Sequence, residues 1–319
     1  MKGFIVGLII LGGLALVGGA VCVGYAAAHD KISDDFVTNE YTFDDDVDNI
    51  KIDLATADLE FRKATDEKTK VVCVEKEKVY HAVDVKDGTL EIEQVDERRW
   101  YQKYIFNINF KSMKVTVYLP EDTYNNLKVE TDTGSINLAK GFTFADMDLK
   151  SDTGGMSISS SATGKITLSE HTGDILLDNI NADSIKSNSS TGRFTYKGGK
   201  VNDSIEVKSS TGDIILENVE AKTYTSNCST GDVKLTNVVI ENELKIKTST
   251  GGVRFDKSDA GSLKVETSTG SVKGTLLTPK IFDCKSDTGS IHIPSAQEWS
   301  GGICEVKTDT GSITLSIQA

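Results

Sequence analysis

Ten copies of one hydrophobic pattern run down the C-terminal two-thirds of the chain. Each is centred on a Thr-Gly pair, with glycines at Gly134, Gly154, Gly173, Gly192, Gly212, Gly231, Gly251, Gly270, Gly289 and Gly311. The steps between them are 19 or 20 residues, with a last step of 22. Seven residues before each glycine the column reads Leu127, Met147, Ile166, Ile185, Ile205, Tyr224, Leu244, Leu263, Phe282 and Cys304. Five residues before it only Ser187 and Ser226 depart from apolar character. Two residues after it every copy is apolar again, from Ile136 to Ile313, and four residues after it only Gly274 breaks the column. A spacing of two within each limb is strand periodicity. The phase slips at the glycine, so each copy predicts a short strand, a bend and a second short strand. A weaker third apolar site follows, as in Val219 and Ala221 or Val238 and Ile240.

Twenty residues are too few for a strand-helix-strand crossover, which needs about thirty. They suffice for one coil of a β-solenoid, with equivalent strands paired in parallel about 4.8 Å apart. The fold class predicted is therefore all-β, a parallel β-helix-like solenoid of about ten coils. Upstream the pattern degenerates. Ile50, Ile52 and Leu54 lead to Thr56-Ala57 and then Leu59 and Phe61, while Val83 and Val85 lead to Asp87-Gly88 and then Leu90 and Ile92. Val71 to Val74 and Val115 to Leu119 read as further strands. Residues 49–119 are thus expected to form an irregular N-terminal part of the same β structure, and 120–319 the regular solenoid.

The first residues change the picture. Phe4 to Ala28 contains no charge, and its 25 residues exceed the roughly 20 a helix needs to cross a bilayer. Residues 1–28 read as one transmembrane anchor, in front of which Lys2 places the N-terminus in the cytoplasm and the bulk of the chain outside the cell membrane. The Ala26-Ala27-Ala28 run keeps a cleaved signal peptide open as an alternative. The anchor also carries one G-x-x-x-G, Gly3 to Gly7, of the kind that pairs membrane helices. Residues 29–48 are strongly acidic and read as a solvated stalk. Asp44, Asp46 and Asp48 begin like a calcium loop, but Asn49 and Ala55 stand where that loop needs Gly and Glu.

Composition then narrows the function. A net charge of −13 over 319 residues disfavours nucleic acid as partner. Five cysteines without C-x-x-C spacing, and four scattered histidines, match no metal or redox motif. Cys73, Cys228, Cys284 and Cys304 read as small buried hydrophobes, with Cys284 stacking on Val306 and Cys304 on Phe282 rather than on each other. No cofactor and no catalytic residue is expected.

The combination of an N-terminal anchor, Ile50-Lys-Ile-Asp-Leu-Ala-Thr-Ala-Asp58, a strand ending Val117-Tyr-Leu-Pro120 and serial [ST]-[DS]-T-G repeats resembles the bacterial putative-adhesin family of β-strand-repeat proteins with a domain of unknown function. The resemblance spans about 40–319. It implies an exported surface protein, and it carries no catalytic residues to transfer.

Candidate sites are few. Asp132, Asp152, Asp287 and Asp309 sit in Asp-Thr-Gly triplets like those of aspartic proteases, but the column otherwise holds Ser or His, and turn chemistry explains the triplet. The Thr ladder, Thr133 to Thr310, and the Ser/Thr column two residues before it resemble ice-binding solenoids; their parity with the core predicts that both point inward or into the corner. Adjacent-coil pairs such as Asp132 and Asp152, Asp213 and Asp232, and Asp287 and Asp309 are the best places for an ion. Arg98, Arg99, Trp100, Tyr101, Tyr104, Phe106 and Phe110 form the candidate binding patch, or alternatively a cap over the solenoid end. Trp299, in the longest step, is expected to cover the other end. The function this supports is a non-enzymatic, membrane-anchored envelope rod that binds an envelope polymer or surface ligand. A sensory ectodomain acting through a membrane partner is the alternative, and a polysaccharide-active enzyme the outsider.

Overall fold

The computed structural model describes residues 35–99, 112–120, 123–295 and 301–318, and these are all-β, with no helix among them. The anchor read at 1–28 lies outside the described residues. No helix within them is long and apolar enough to cross a membrane.

The repeats stack as the columns require. Leu127 pairs with Met147, Ile166 with Ile185, Ile205 with Tyr224 and Leu244 with Leu263, all in parallel register. The limbs after the glycine do the same, Ile136 beside Met156 and Ile214 beside Val233. The third apolar site closes the cross-section, with Ala221 beside Ile240. These columns form one continuous core in which Ile166, Leu168, Leu177, Phe144 and Tyr224 are fully buried. Each such side chain contributes about 1.5–3 kcal/mol, realised only when a neighbouring coil covers it.

At the bend the glycine N–H donates to the threonine carbonyl of the next coil, as Gly212 does to Thr230 and Gly231 to Thr250, both at 2.9 Å. A side chain on these glycines would point at the glycine of the coil before. A Cβ on Gly231 would lie 2.2 Å from the Gly212 carbonyl oxygen. The backbone also takes φ of +149° there, where residues with a side chain are strained. The Thr-Gly repeat is therefore a stacking requirement.

A second corner has its own ladder, which the apolar columns do not foretell. Asn179, Asn218 and Asn237 adopt φ of 53°, 56° and 52°, and Gly198 takes the equivalent place. Asparagine tolerates this left-handed conformation, and Asn237 Nδ2 donates to Asn218 Oδ1 at 3.0 Å.

The N-terminal region departs from simple coils. We name its strands β1 (Phe36–Phe43), β2 (Asn49–Lys63), β3 (Thr69–Lys76), β4 (Val79–Lys86), β5 (Thr89–Asp96) and β6 (Met113–Leu119). β2 is a true coil: Ile50 pairs with Leu127, Thr56 with Thr133 and Leu59 with Ile136. Its other edge pairs in parallel with β5 and β6. Beyond that the pairing is antiparallel, β4 with β5, β3 with β6 and β1 with β3. Asp87-Gly88, read as a degenerate coil turn, is instead a two-residue hairpin turn with φ of 49° and 70°. Part of the segment read as a stalk, Phe36–Phe43, is a strand, and Lys70 and Lys68 pair with its Glu40 and with Asp44. Antiparallel strands of this kind close the end of the stack.

At the other end the coils leave chain order. Ile303–Thr310 pairs on one side with Val253–Thr269 and on the other with Ile281–Thr288. The last copy in sequence is thus the penultimate coil in space, and the Gly289 copy ends the stack. The glycine ladder agrees, since a Cβ on Gly311 would meet Gly270 and one on Gly289 would meet Gly311. Lys280 staples the crossing: its ammonium reaches Asp259 Oδ1 and the Ala260 carbonyl, both at 2.7 Å, and the Gly301 carbonyl. The end coil is uncovered among the described residues, with Ile281 51% and Ile291 40% exposed. Trp299, read as covering this end, lies outside them. Cys284 pairs with Val306 and Cys304 with Phe282, as the register predicted, and both thiols are free, although Cys284 is only half-buried.

Candidate functional site

One column decides the character of the rod's surface. Three residues before each glycine the side chains turn inward: Thr131, Ser151, Glu170, Ser209, Cys228, Thr248, Thr267 and Thr308 are all buried. At the C-terminal end these hydroxyls hold the neighbouring turn. Thr267 donates to the Gly251 carbonyl at 3.1 Å, Thr308 to Gly270 at 3.0 Å and Ser286 to Gly311 at 2.8 Å. Each bond of this kind is worth about 1 kcal/mol net. Thr308→Val is accordingly expected to lower the unfolding free energy by about 1 kcal/mol in a urea titration.

The Thr ladder itself does not point inward. Thr133, Thr153, Thr172, Thr191, Thr211, Thr230, Thr250, Thr269, Thr288 and Thr310 are all exposed. The residue before each threonine is skipped in the pairing register, Thr131 matching Ser151 and then Thr133 matching Thr153. Both coils lose their pairing at that residue together, without a shift of register, so the strand is interrupted at the bend and the inward-outward alternation does not carry across it. The threonines therefore form an exposed ridge along one corner.

Beside this ridge, across the coils of Gly154, Gly173, Gly192, Gly212 and Gly231, lies a groove of about 380 Å³. It runs along the stacking direction for about 20 Å at the usual coil spacing. Its walls are polar: Lys150, Ser169, Asn188, Lys208 and Asn227 on one side, Asp152, His171, Ser190, Ser210 and Ser229 on the other. Lys208 is held by Glu206 at 2.7 Å. Small serines in the inward column leave the depression.

The groove floor breaks the packing rules of the rest of the solenoid. Glu170 occupies an otherwise neutral column and is 4% exposed; the Thr172 N–H and the Ser151 hydroxyl approach its carboxylate without forming well-aligned hydrogen bonds. It lies between Ser151 and Ser189 in register. The floor hydroxyls of Ser189 and Ser209 are likewise buried without partners, as are those of Ser187, Tyr224 and Ser226 in the core columns outside the groove lining. Burial pushes the Glu170 carboxyl up to about 7. Because its oxygens are covered while Asp152 is exposed, the two are not presented together as a hydrolytic pair.

The patch expected from sequence is placed only in part. Arg98 is half-buried and binds Asp96 through Nε and Nη2 at 2.9 and 2.8 Å, which leaves it little free charge. Arg99 is exposed. Trp100, Tyr101, Tyr104, Phe106 and Phe110 lie outside the described residues. The stacked aspartates tie one coil to the next. Asp213 Oδ1 accepts from the Asp232 N–H at 3.0 Å, and Asp232 Oδ1 from the Gly252 N–H at 2.9 Å. No third carboxylate, thiol or imidazole joins any aspartate pair among the described residues. The groove itself was missed. Its sequence signal is Glu170 in a column that otherwise holds small neutral residues.

A capped stack of parallel coils with a polar groove defines a β-solenoid repeat protein. The chain belongs to the Toastrack DUF4097 family, which it matches over residues 47–204 and 197–319. Among solved structures it is similar to a protein from Parabacteroides distasonis described as a "putative lipid binding protein", at 16% identity and a TM-score of 0.50, covering 90% of this chain and 98% of that one. A "putative adhesin" from Bacteroides fragilis is similar at 18% identity and a TM-score of 0.42, over 90% and 98% of the two chains. No curated protein matches the chain.

Proposed function

We propose that this protein is a non-enzymatic, adhesin-like binding rod of the cell envelope, and that an extended polar polymer such as an envelope polysaccharide lies in the groove over the Gly154 to Gly231 coils. The observation that carries this is the groove's direction. It follows the stacking axis, so a linear polymer meets polar groups at every coil, with wall hydroxyls or amides at four of the five. Weak contacts then add, because each successive one forms at high effective concentration. The charge-free stretch at Phe4 to Ala28 supports anchorage in the cell membrane with the rod outside. Exposure of the rod to added protease on intact cells checks that placement, and a protected rod would overturn it.

The groove is tested by filling it. Ser190→Tyr with Ser210→Tyr, on its outer wall and away from the core, should weaken binding of soluble cell-wall glycan fragments at least tenfold in calorimetric titration. Melting of the full chain should be little changed. Equal affinity in the filled variant would place the binding surface elsewhere.

A further inference from the structure

We infer that Cys73, Glu75 and His81 form a binding site for a zinc-class divalent metal ion within the N-terminal antiparallel cap, away from the groove. The three side chains are fully buried, and they offer a thiol, a carboxylate and an imidazole whose ligand atoms all lie within 4.8 Å of one another. They come from β3 and β4, whose strands meet at Lys76 and Val79. Alternation puts Cys73 and Glu75 on one face of β3, and the turn returns His81 to it.

Two further observations point to a ligand. His81 Nδ1 lies 2.7 Å from Glu75 Oε2, which also accepts the His81 N–H at 2.7 Å. An ion shared by the three side chains would take the place of that hydrogen bond, bound by Nδ1, the Glu75 carboxylate and the Cys73 sulfur. The other nitrogen, Nε2, is fully buried and has no partner. Glu75 is held from its other oxygen by Asn39 Nδ2 at 2.5 Å, and Tyr41 donates to the His81 carbonyl at 3.4 Å, so β1 covers the cluster. An ionised thiol and carboxylate bring two negative charges, which a dication neutralises. Sulfur with nitrogen and oxygen donors selects zinc over calcium or magnesium.

The test is cobalt(II) titration of the full-length chain with absorption spectroscopy. One equivalent should bind and give a thiolate-to-cobalt charge-transfer band. Cys73→Ser should abolish the band, and His81→Gln should weaken binding at least tenfold. Replacing Cys22, Cys228, Cys284 and Cys304 by Ser should leave the band intact. This last variant keeps all three ligands, so it decides the matter even where Cys73→Ser does not fold. Absence of the band there, or its survival in Cys73→Ser, overturns the site.

Discussion

Gly231→Ala is expected to unfold the middle of the rod. The added methyl carbon would lie 2.2 Å from the Gly212 carbonyl oxygen and 2.6 Å from its carbon, at a backbone φ of +149°. Both contacts are with backbone, and the Gly231 N–H is fixed to Thr250, so no rotamer change relieves them. The coils must separate or the ladder must break, and either forfeits buried columns on both sides. The cost should exceed about 4 kcal/mol, a size reached only by core disruption and strained backbone. Gly252→Ala is the internal comparison. Its Cβ would come no nearer than 3.1 Å to Ser271 O, with Asp232 Oδ1 at 3.7 Å, and its φ lies outside the left-handed region, so about 1 kcal/mol is expected. Urea unfolding of the two variants checks the difference. Ala57 marks the one place in the ladder where a side chain is already accommodated, in β2, where no Thr-Gly turn precedes it.

Removing the buried carboxylate should do the opposite. The Glu170 carboxyl lies at about 7 in the folded chain against an ordinary 4.5. The folded state therefore keeps a proton that the unfolded chain has released. Stability is greatest below about pH 4.5, falls as pH rises through the interval to 7, and levels off above it. A shift of this size corresponds to about 3 kcal/mol at pH 8. Glu170→Thr restores the residue type found at Thr248, Thr267 and Thr308, and removes this penalty. The variant should gain about 3 kcal/mol at pH 8 and far less at pH 4.5, read from urea unfolding at both values. An equal gain at both pH values would show that shape, rather than charge, is at issue. The position is also where the chain departs from its own repeat, and such departures concentrate at functional sites.

What could be read in advance follows from how local each signal is. The core columns and the coil length were legible because period-two alternation and a recurring turn are properties of neighbouring residues. The Thr ladder was misplaced because parity counting across a bend fails when one residue, such as Asp132 or Asp152, is left out of the pairing. Asp87-Gly88 was misread because a hairpin turn and a coil turn use the same residues, and the partner strand decides between them. The exchange of the last two coils had no local signal at all. Phe282 and Cys304 carry equivalent columns, so either copy fits against Leu263; the long step between Gly289 and Gly311, and the buried Lys280, are its only traces. The Cys73, Glu75 and His81 cluster matched no motif because its spacing belongs to a hairpin rather than to a known metal module.

The groove is the centre of the proposed function, and one measurement bears on it most directly. Full-length protein is mixed with purified insoluble cell wall from its own organism and sedimented at low and moderate salt. Wild-type chain should pellet at both, since hydroxyl and amide contacts are little screened, while the Ser190→Tyr, Ser210→Tyr variant should stay in the supernatant. Wild-type chain that remains soluble, or a filled variant that pellets as well as wild type, would contradict a polymer-binding groove.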